Sequence, residues 1–213
     1  MSAAKALTLD ALKLPLYQQS GSEMSLIAII DYGAGNCTSV SNAFASLGVK
    51  SVVTKDVDVI DNAEYVVFPG VGAARKAMEN LVSSGLVDTV KRAANSGRPF
   101  LGICLGMQVL FEHSEEDGGV DLLGLLPGKV RRFPDVPGYK IPEMGWNQVN
   151  GDKDYYFVHS YYAELCEYTI GTTEYAGVKF TSAVRKGNLI AYQFHPEKSG
   201  RTGLALLKEF LGC

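Results

Sequence analysis

The sequence predicts an α/β fold in which a central mixed, mostly parallel sheet is flanked by helices. Two observations carry that prediction. The first half alternates short apolar runs with segments of helical spacing, as βα units do. The second half reads mostly as strands and hairpins and closes with one amphipathic helix. At 213 residues the chain can bury one sizeable core, so one domain is expected.

The elements follow in order. "SLIAII" (25–30) is a run fit for a buried strand, "DYGAGN" (31–36) a turn, and "TSVSNAFASLG" (38–48) a helix ended by glycine. "SVV" (51–53) is a short strand. "YVVFPGVGA" (65–73) is a strand running into a glycine-rich loop. Residues 75–96 keep helical spacing, broken near Ser84-Gly85. "RPFLGI" (98–103) is a strand and "LGMQVLFEH" (105–113) a helix. Beyond them, 128–133, 155–164, 168–175 and 179–194 read as strands and hairpins, and "TGLALLKEFLG" (202–212) as the closing helix. The first 24 residues lack arginine and a continuous apolar stretch, so they fit neither a secretory nor an organellar leader. They are expected to be a mobile extension, with a short amphipathic helix over 7–16, ahead of a domain at 25–213.

Bulk properties narrow the function. Charged residues make up 20% and the formal net charge is −3, which does not suit a nucleic-acid ligand. No stretch has the length and apolarity of a membrane span. The four cysteines, Cys37, Cys104, Cys166 and Cys213, form no CxxC pair, so neither a disulfide framework nor a zinc site is expected, and a reducing cytoplasm fits. "DYGAGN" lacks the third glycine of a dinucleotide fingerprint, because position 38 is Thr38.

Cys104 is the residue that points to chemistry. "LGICLG" (101–106) sets it between a buried strand and a predicted helix, with glycines two positions away on either side. That corner resembles a nucleophile elbow with cysteine in place of serine. A sharp turn would push the thiol out of the sheet, and the helix N-terminus beyond would favour its thiolate. Taken alone, a buried core cysteine is the commoner role.

A thiol nucleophile needs a base. His113 would sit at the far end of the predicted helix, and His159 lies inside an apolar strand. His195 ends a strand in "QFHPEKSG" (193–200), with Glu197 two residues on, where a carboxylate can orient the imidazole. The third part is "FPGVGA" (68–73). Its glycines expose backbone N–H groups, so the Val71 N–H can face the Leu105 N–H as an oxyanion hole.

"PGVG", "GICLGMQ" and "HPE", in that order, resemble the class I, triad-type glutamine amidotransferases, which implies their flavodoxin-like fold. "DYGAGN", "EMGWNQV" (143–149), "YFVHSY" (156–161) and "QFHPEKSG" are similar, more narrowly, to glutaminase subunits of imidazole glycerol phosphate synthase. The resemblance implies that Cys104 attacks the side-chain amide of glutamine, with His195 moving the proton and Glu197 orienting it. It implies that Gly72, Gln108, Glu116, His159, Ser160 and Tyr161 cradle glutamine. Ammonia would pass to a (β/α)8-barrel cyclase subunit that forms imidazole glycerol phosphate and the purine precursor AICAR. Trp146 and Lys198 match positions facing that cyclase. No metal or organic cofactor is implied.

Three features depart from the family pattern: Glu143 stands where histidine is usual, the connection from Asn147 to Tyr155 is short, and residues 1–24 have no counterpart. Other readings stay open at this stage. The chain could serve another amidotransferase, making pyridoxal phosphate, anthranilate or GMP, or be a non-catalytic scaffold of the same fold. An elbow cysteine also suits a stress protein or a cysteine peptidase.

Overall fold

A computed structural model describes residues 26–212. The proposed extension, with its helix over 7–16, lies outside the described residues, as do Ser25 and Cys213.

Strand β1 (Ile27–Ile30) is wholly buried. Ala28 and Ile30 enter one core and Ile27 and Ile29 the other, as a period-two strand covered on both faces requires. Helix α1 (Cys37–Ser46) leads to β2 (Ser51–Thr54). Helix α2 (Val57–Asn62) was not expected, because six residues are too few for helical spacing to show. Its local signal is Asp56, an N-cap whose carboxylate accepts from the N–H groups of Asp58 and Val59. Strand β3 (Tyr65–Gly70) then leads to α3 (Ala74–Ser83) and α4 (Val87–Asn95), which part at Ser84-Gly85 as the sequence predicts. Strand β4 (Phe100–Cys104) ends at the candidate nucleophile.

The helix expected over 105–113 stops after one turn, α5 (Leu105–Gln108). The carbonyls that a longer helix needs are taken by a neighbouring segment. Val109 O accepts from Leu123, Leu110 O from Leu125 and Leu126, and Phe111 O from Gly124. Helical spacing is present because Val109, Leu110 and Phe111 are all buried, yet their backbone serves a tertiary contact. His113 accordingly lies in β5 (His113–Ser114), which pairs with β6 (Val120–Asp121), and its Nδ1 is 3.0 Å from Asp121.

The remaining strands are β7 (Lys129–Arg132), β8 (Glu143–Val149), β9 (Lys153–His159), β10 (Tyr161–Ala163), β11 (Thr169–Tyr175), β12 (Val178–Lys186) and β13 (Leu189–Tyr192). Helix α6 (Gly200–Phe210) closes the fold. The short connection after Asn147 is an intact β8–β9 hairpin. It turns at Asn150 (φ 55°) and Gly151 (φ 68°), a residue pair that tolerates successive positive φ.

The main sheet runs β2-β1-β3-β4-β13-β12-β10-β7-β5-β6, with β11 also paired to β12. Neighbours from β2 to β13 are parallel, whereas β13–β12–β10–β7 are antiparallel. Helices α1 and α6 cover one face, meeting through Phe44 and Phe210, while α3 and α4 cover the other. Parallel register sets Gly70 of β3 beside Cys104 of β4, and Ile103 beside Tyr192 of β13. Three carboxyl ends of strands therefore meet at one edge, where open α/β sheets bind ligands.

Candidate active site

Cys104 occupies the corner between β4 and α5 with φ 55° and ψ −114°. Side-chain-bearing residues rarely hold that backbone, so the corner stores strain of order ~1–3 kcal/mol. Two glycines allow neighbours close enough to brace it. A Cβ at Gly106 would lie 1.9 Å from the Phe68 carbonyl oxygen, and one at Gly102 would lie 2.9 Å from the Ala191 Cβ. Both flanking strands thus approach only because those side chains are missing, which is the elbow geometry expected from "LGICLG".

His195 lies just beyond β13 and is fully buried. Its Nδ1 is 2.7 Å from Glu197 Oε1. A carboxylate only accepts, so Nδ1 carries a proton and donates it. The 3-10 turn Pro196–Lys198 sets the carboxylate two residues on. His195 Nε2 is buried and makes no aligned hydrogen bond, yet Cys104 stands close enough to couple with it. Burial alone would lower the imidazole pKa. The charge and proximity of Cys104, followed by Glu197, outweigh burial and raise it to about 10. Burial acts on Glu197 in the opposite sense, but the His195 contact and the Asn36 amide hold this carboxyl below its ordinary range.

A cavity of about 430 Å³ opens beside the thiol. Val71, Gly72, Cys104, Leu105, Gln108, Glu116, His159, Ser160, Tyr161 and Lys198 all line it. The structure thus brings together every residue named for the oxyanion hole and the glutamine cradle, from four separate stretches of chain. Glu116 reaches in from a 3-10 turn, where its Oε2 accepts the Ala74 N–H at 2.6 Å and so caps α3. Burial raises the Glu116 pKa against that N–H, with Asp117 adding to the rise. Gln108 Nε2 donates to Tyr161 O at 2.7 Å and to Gln193 Oε1 at 2.9 Å, which fixes its side chain. Trp146 lies elsewhere, on β8, 58% exposed and edge-on to Tyr156.

Two details refine the expectations. The Val71 N–H donates to Ala34 O at 2.9 Å, so in this conformation it is not available to an oxyanion. The helix behind the thiol is a single turn, so the nearby imidazole is the larger electrostatic partner.

Three residues of the site were not anticipated. Asn36, in the left-handed conformation (φ 68°), donates to Glu197 Oε1 at 2.7 Å. Gln193 Nε2 is 3.8 Å from Cys104 Sγ. The Ser199 hydroxyl donates to His195 O at 2.6 Å and accepts the Tyr156 N–H at 3.0 Å, stitching the loop to β9. Gln193 had a signal: it is polar within an apolar strand run and two residues from His195, hence on the same face. Asn36 had none stronger than a polar residue ending a glycine-rich turn.

A nucleophile elbow, a histidine–carboxylate pair and a shared strand edge are the parts that a cysteine-nucleophile site needs. The family model "Glutamine amidotransferase class-I" matches residues 28–212, and the chain belongs to that family. Within it the chain is 50% identical to the imidazole glycerol phosphate synthase subunit HisH of Moorella thermoacetica, over 88% of this chain and 94% of that one. It is 47% identical to HisH of Methanothermobacter thermautotrophicus, over 87% and 98% respectively. Among solved structures, one described as a glutamine amidotransferase superposes with a TM-score of 0.65 at 19% identity, covering 86% of this chain and 98% of the other. A putative GMP synthase protein from Thermoplasma acidophilum gives 0.63 at 18% identity, covering 90% and 94%. Those two likenesses establish the class I fold. Among the described residues no helix is long and apolar enough to cross a membrane.

Proposed function

We propose that this chain is the glutaminase subunit of an imidazole glycerol phosphate synthase, using a Cys104-His195-Glu197 triad to release ammonia for a (β/α)8-barrel cyclase. The observation that carries this reading is the buried 2.7 Å contact between His195 Nδ1 and Glu197, with the imidazole raised by a thiol on a strained elbow.

The chemistry follows from the atoms. The Cys104 sulfur attacks the side-chain amide carbon of glutamine, and its proton resides on His195 Nε2. Glu197 stabilises the imidazolium through Nδ1. Collapse of the tetrahedral intermediate breaks the C–N bond, and His195 hands its proton to the departing ammonia. Water, deprotonated by the same imidazole, then cleaves the glutamyl thioester and returns glutamate and the free thiol.

The surrounding groups suit that substrate. The Glu116 carboxylate can receive the glutamine ammonium, and Gln108 and the backbone of Gly72, His159, Ser160 and Tyr161 offer polar partners. The Leu105 N–H supplies one oxyanion donor, and the Val71 N–H supplies the second once it leaves Ala34. No metal or organic cofactor enters the reaction. Lys198 donates its N–H to His195 O, and Trp146 packs on Tyr156, whose carbonyl accepts the His195 N–H; we assign both to the surface that meets the cyclase.

Amide-15N glutamine tests the whole reading. With the cyclase and its phosphorylated ribulosyl substrate, the label is expected in imidazole glycerol phosphate. Label found only as free ammonium would refute delivery, and an absence of glutamate would refute the glutaminase.

A further inference from the structure

Glu143 and His159 face each other across the β8–β9 hairpin, with side chains only 4% and 3% exposed. His159 Nε2 is 3.0 Å from Glu143 Oε2, an ion-pair distance without the alignment of a hydrogen bond. The other ring nitrogen, Nδ1, is 2.7 Å from Tyr161 O. A carbonyl only accepts, so Nδ1 carries a hydrogen. A neutral imidazole would then turn the lone pair of Nε2 toward a carboxylate oxygen. Two buried acceptors at 3.0 Å repel, so the contact is favourable only with a second proton on one of the two atoms. That proton belongs to the pair, whichever atom holds it.

The surroundings tie this pair to the cavity. Asn147 Nδ2 donates to Glu143 Oε1 at 2.7 Å, which occupies the other carboxyl oxygen. The rings of Phe133, Phe157 and Phe180 stand 5.2, 5.6 and 5.3 Å from the imidazole and exclude water. The Tyr161 carbonyl accepts from His159 and also from Gln108, so both of its lone pairs are engaged. A continuous chain thus runs Asn147–Glu143–His159–Tyr161–Gln108. It leads from the hairpin that carries Trp146 to the turn that follows Cys104. The backbone it fixes, Val158–Tyr161, forms one wall of the cavity.

We propose that Glu143 is a positioning residue for glutamine: it shares a proton with His159, and that proton holds the Val158–Tyr161 wall in its binding geometry. The proposal rests on the reading of the cavity as the glutamine site. It predicts a larger effect on binding than on turnover, because His159, Ser160 and Tyr161 line the cavity while only Val158, whose carbonyl lies 4.0 Å from Cys104 Sγ, approaches the thiol. Without the carboxylate, His159 Nε2 would be buried with no charged partner, Asn147 would keep only Glu174 O, and Tyr161 O would keep Gln108 but lose a firmly oriented His159 donor. A glutamine side chain at 143 would do without the proton. Its amide can donate to a neutral Nε2 while its oxygen accepts from Asn147.

Steady-state glutaminase assays of the complex with the cyclase test this. Glu143→Ala is expected to raise KM for glutamine roughly 10-fold while kcat changes less than about 3-fold. Glu143→Gln is expected to restore KM to within about 2-fold. Nitrogen-15 and carbon-13 NMR of the free chain provide the second readout, and the Gln variant remains usable if the Ala variant does not fold. Either His159 Nε2 or the Glu143 carboxyl should carry a proton in the unmodified chain, and Nε2 should lose it in Glu143→Gln. A bare Nε2 beside an ionised carboxylate, or an unchanged KM in Glu143→Ala, would overturn the proposal. An unmodified complex that does not hydrolyse glutamine would instead overturn the assignment of the cavity.

Discussion

The backbone N–H of Val71 donates to the carbonyl of Ala34 at 2.9 Å. Val71 directly follows Gly70, the residue in register with Cys104 across β3 and β4. The donor we assign to the oxyanion is therefore bound to a different acceptor, and rotation of the Gly70–Val71 peptide is needed to free it. Gly72, with φ 101° and no contact within 4 Å of a built Cβ, leaves room for such a rotation on the C-terminal side.

A chain in this state should be a slow glutaminase. One oxyanion donor is worth roughly 10²–10³ in turnover. Glutamate release at saturating glutamine should therefore rise by about that factor when the cyclase and its nucleotide ligand are added. A free chain already running at the rate of the complex would show that Val71 is not gated.

Cys104 should be the one cysteine that reacts quickly with a glutamine-analogue electrophile at neutral pH. Cys37 is disfavoured because burial, followed by Asp31, pushes its thiol up to about 11. Peptide mapping that found Cys37, Cys166 or Cys213 labelled as fast would contradict the nucleophile assignment.

Triad variants should rank by what each removes. His195→Ala loses the proton shuttle and should cost roughly 10²–10⁴ in kcat. Glu197→Gln should cost less, because the imidazole remains and only its orientation weakens. Asn36→Ala removes one donor to Glu197 and should cost about 10-fold, with KM little changed. An Asn36→Ala effect confined to KM would show that Asn36 acts on substrate binding and not through Glu197.

Much of this site could be read from the sequence because its parts are local. Gly102-x-Cys104-x-Gly106 specifies its own backbone corner, and His195 and Glu197 meet through two residues of chain. Strands such as 27–30 and 65–70 were legible because burial on both faces forces continuous apolar runs. The helix over 105–113 was misread for a physical reason: burial gave Val109, Leu110 and Phe111 helical spacing while a distant segment claimed their carbonyls. Asn36, and the contact that Glu143 makes, were hidden for a related reason. Each acts on a partner far along the chain or across a hairpin, and no local pattern announces such a contact. Asn150-Gly151, by contrast, is a local hairpin signal that accounts for the short connection after Asn147.

The His195 pKa gives a signed prediction for stability. Its folded value, about 10, lies above the ordinary ~6.5. Folding therefore binds a proton, so the stabilisation is fully present below about pH 6.5 and is lost as pH rises toward 10. Glu197 has a lowered pKa, so its contribution is lost only on acidification and stays constant over this range. The melting-temperature gap between the unmodified chain and His195→Ala should narrow from about pH 6 to about pH 10. A gap that widened would mean that the imidazole is buried neutral.

The last prediction concerns the surface through which a partner would reach the loop that carries His195 and Glu197. Met144 and Trp146, two residues apart on β8, are 65% and 58% exposed, an apolar pair on one face of the hairpin. Trp146 packs on Tyr156, whose carbonyl accepts the His195 N–H at 2.9 Å and whose N–H donates to Ser199. Lys198 sits between those two anchored residues, exposed at the mouth of the cavity. A partner covering Trp146 and pairing with Lys198 would thus press on the loop that carries His195 and Glu197. Exposed aromatics of this kind often dominate interface energies, at roughly 2 kcal/mol or more on truncation. Trp146→Ala should weaken cyclase binding by about 30-fold or more. Lys198→Ala should reduce the stimulation of glutaminase with a smaller loss of affinity. Both variants should melt near the unmodified chain, because neither side chain is part of the core. Calorimetric titration with the cyclase, paired with glutamate release at saturating partner, separates the two effects. Unchanged affinity in Trp146→Ala would move the interface to another face of the molecule, and full stimulation in Lys198→Ala would remove Lys198 from the coupling.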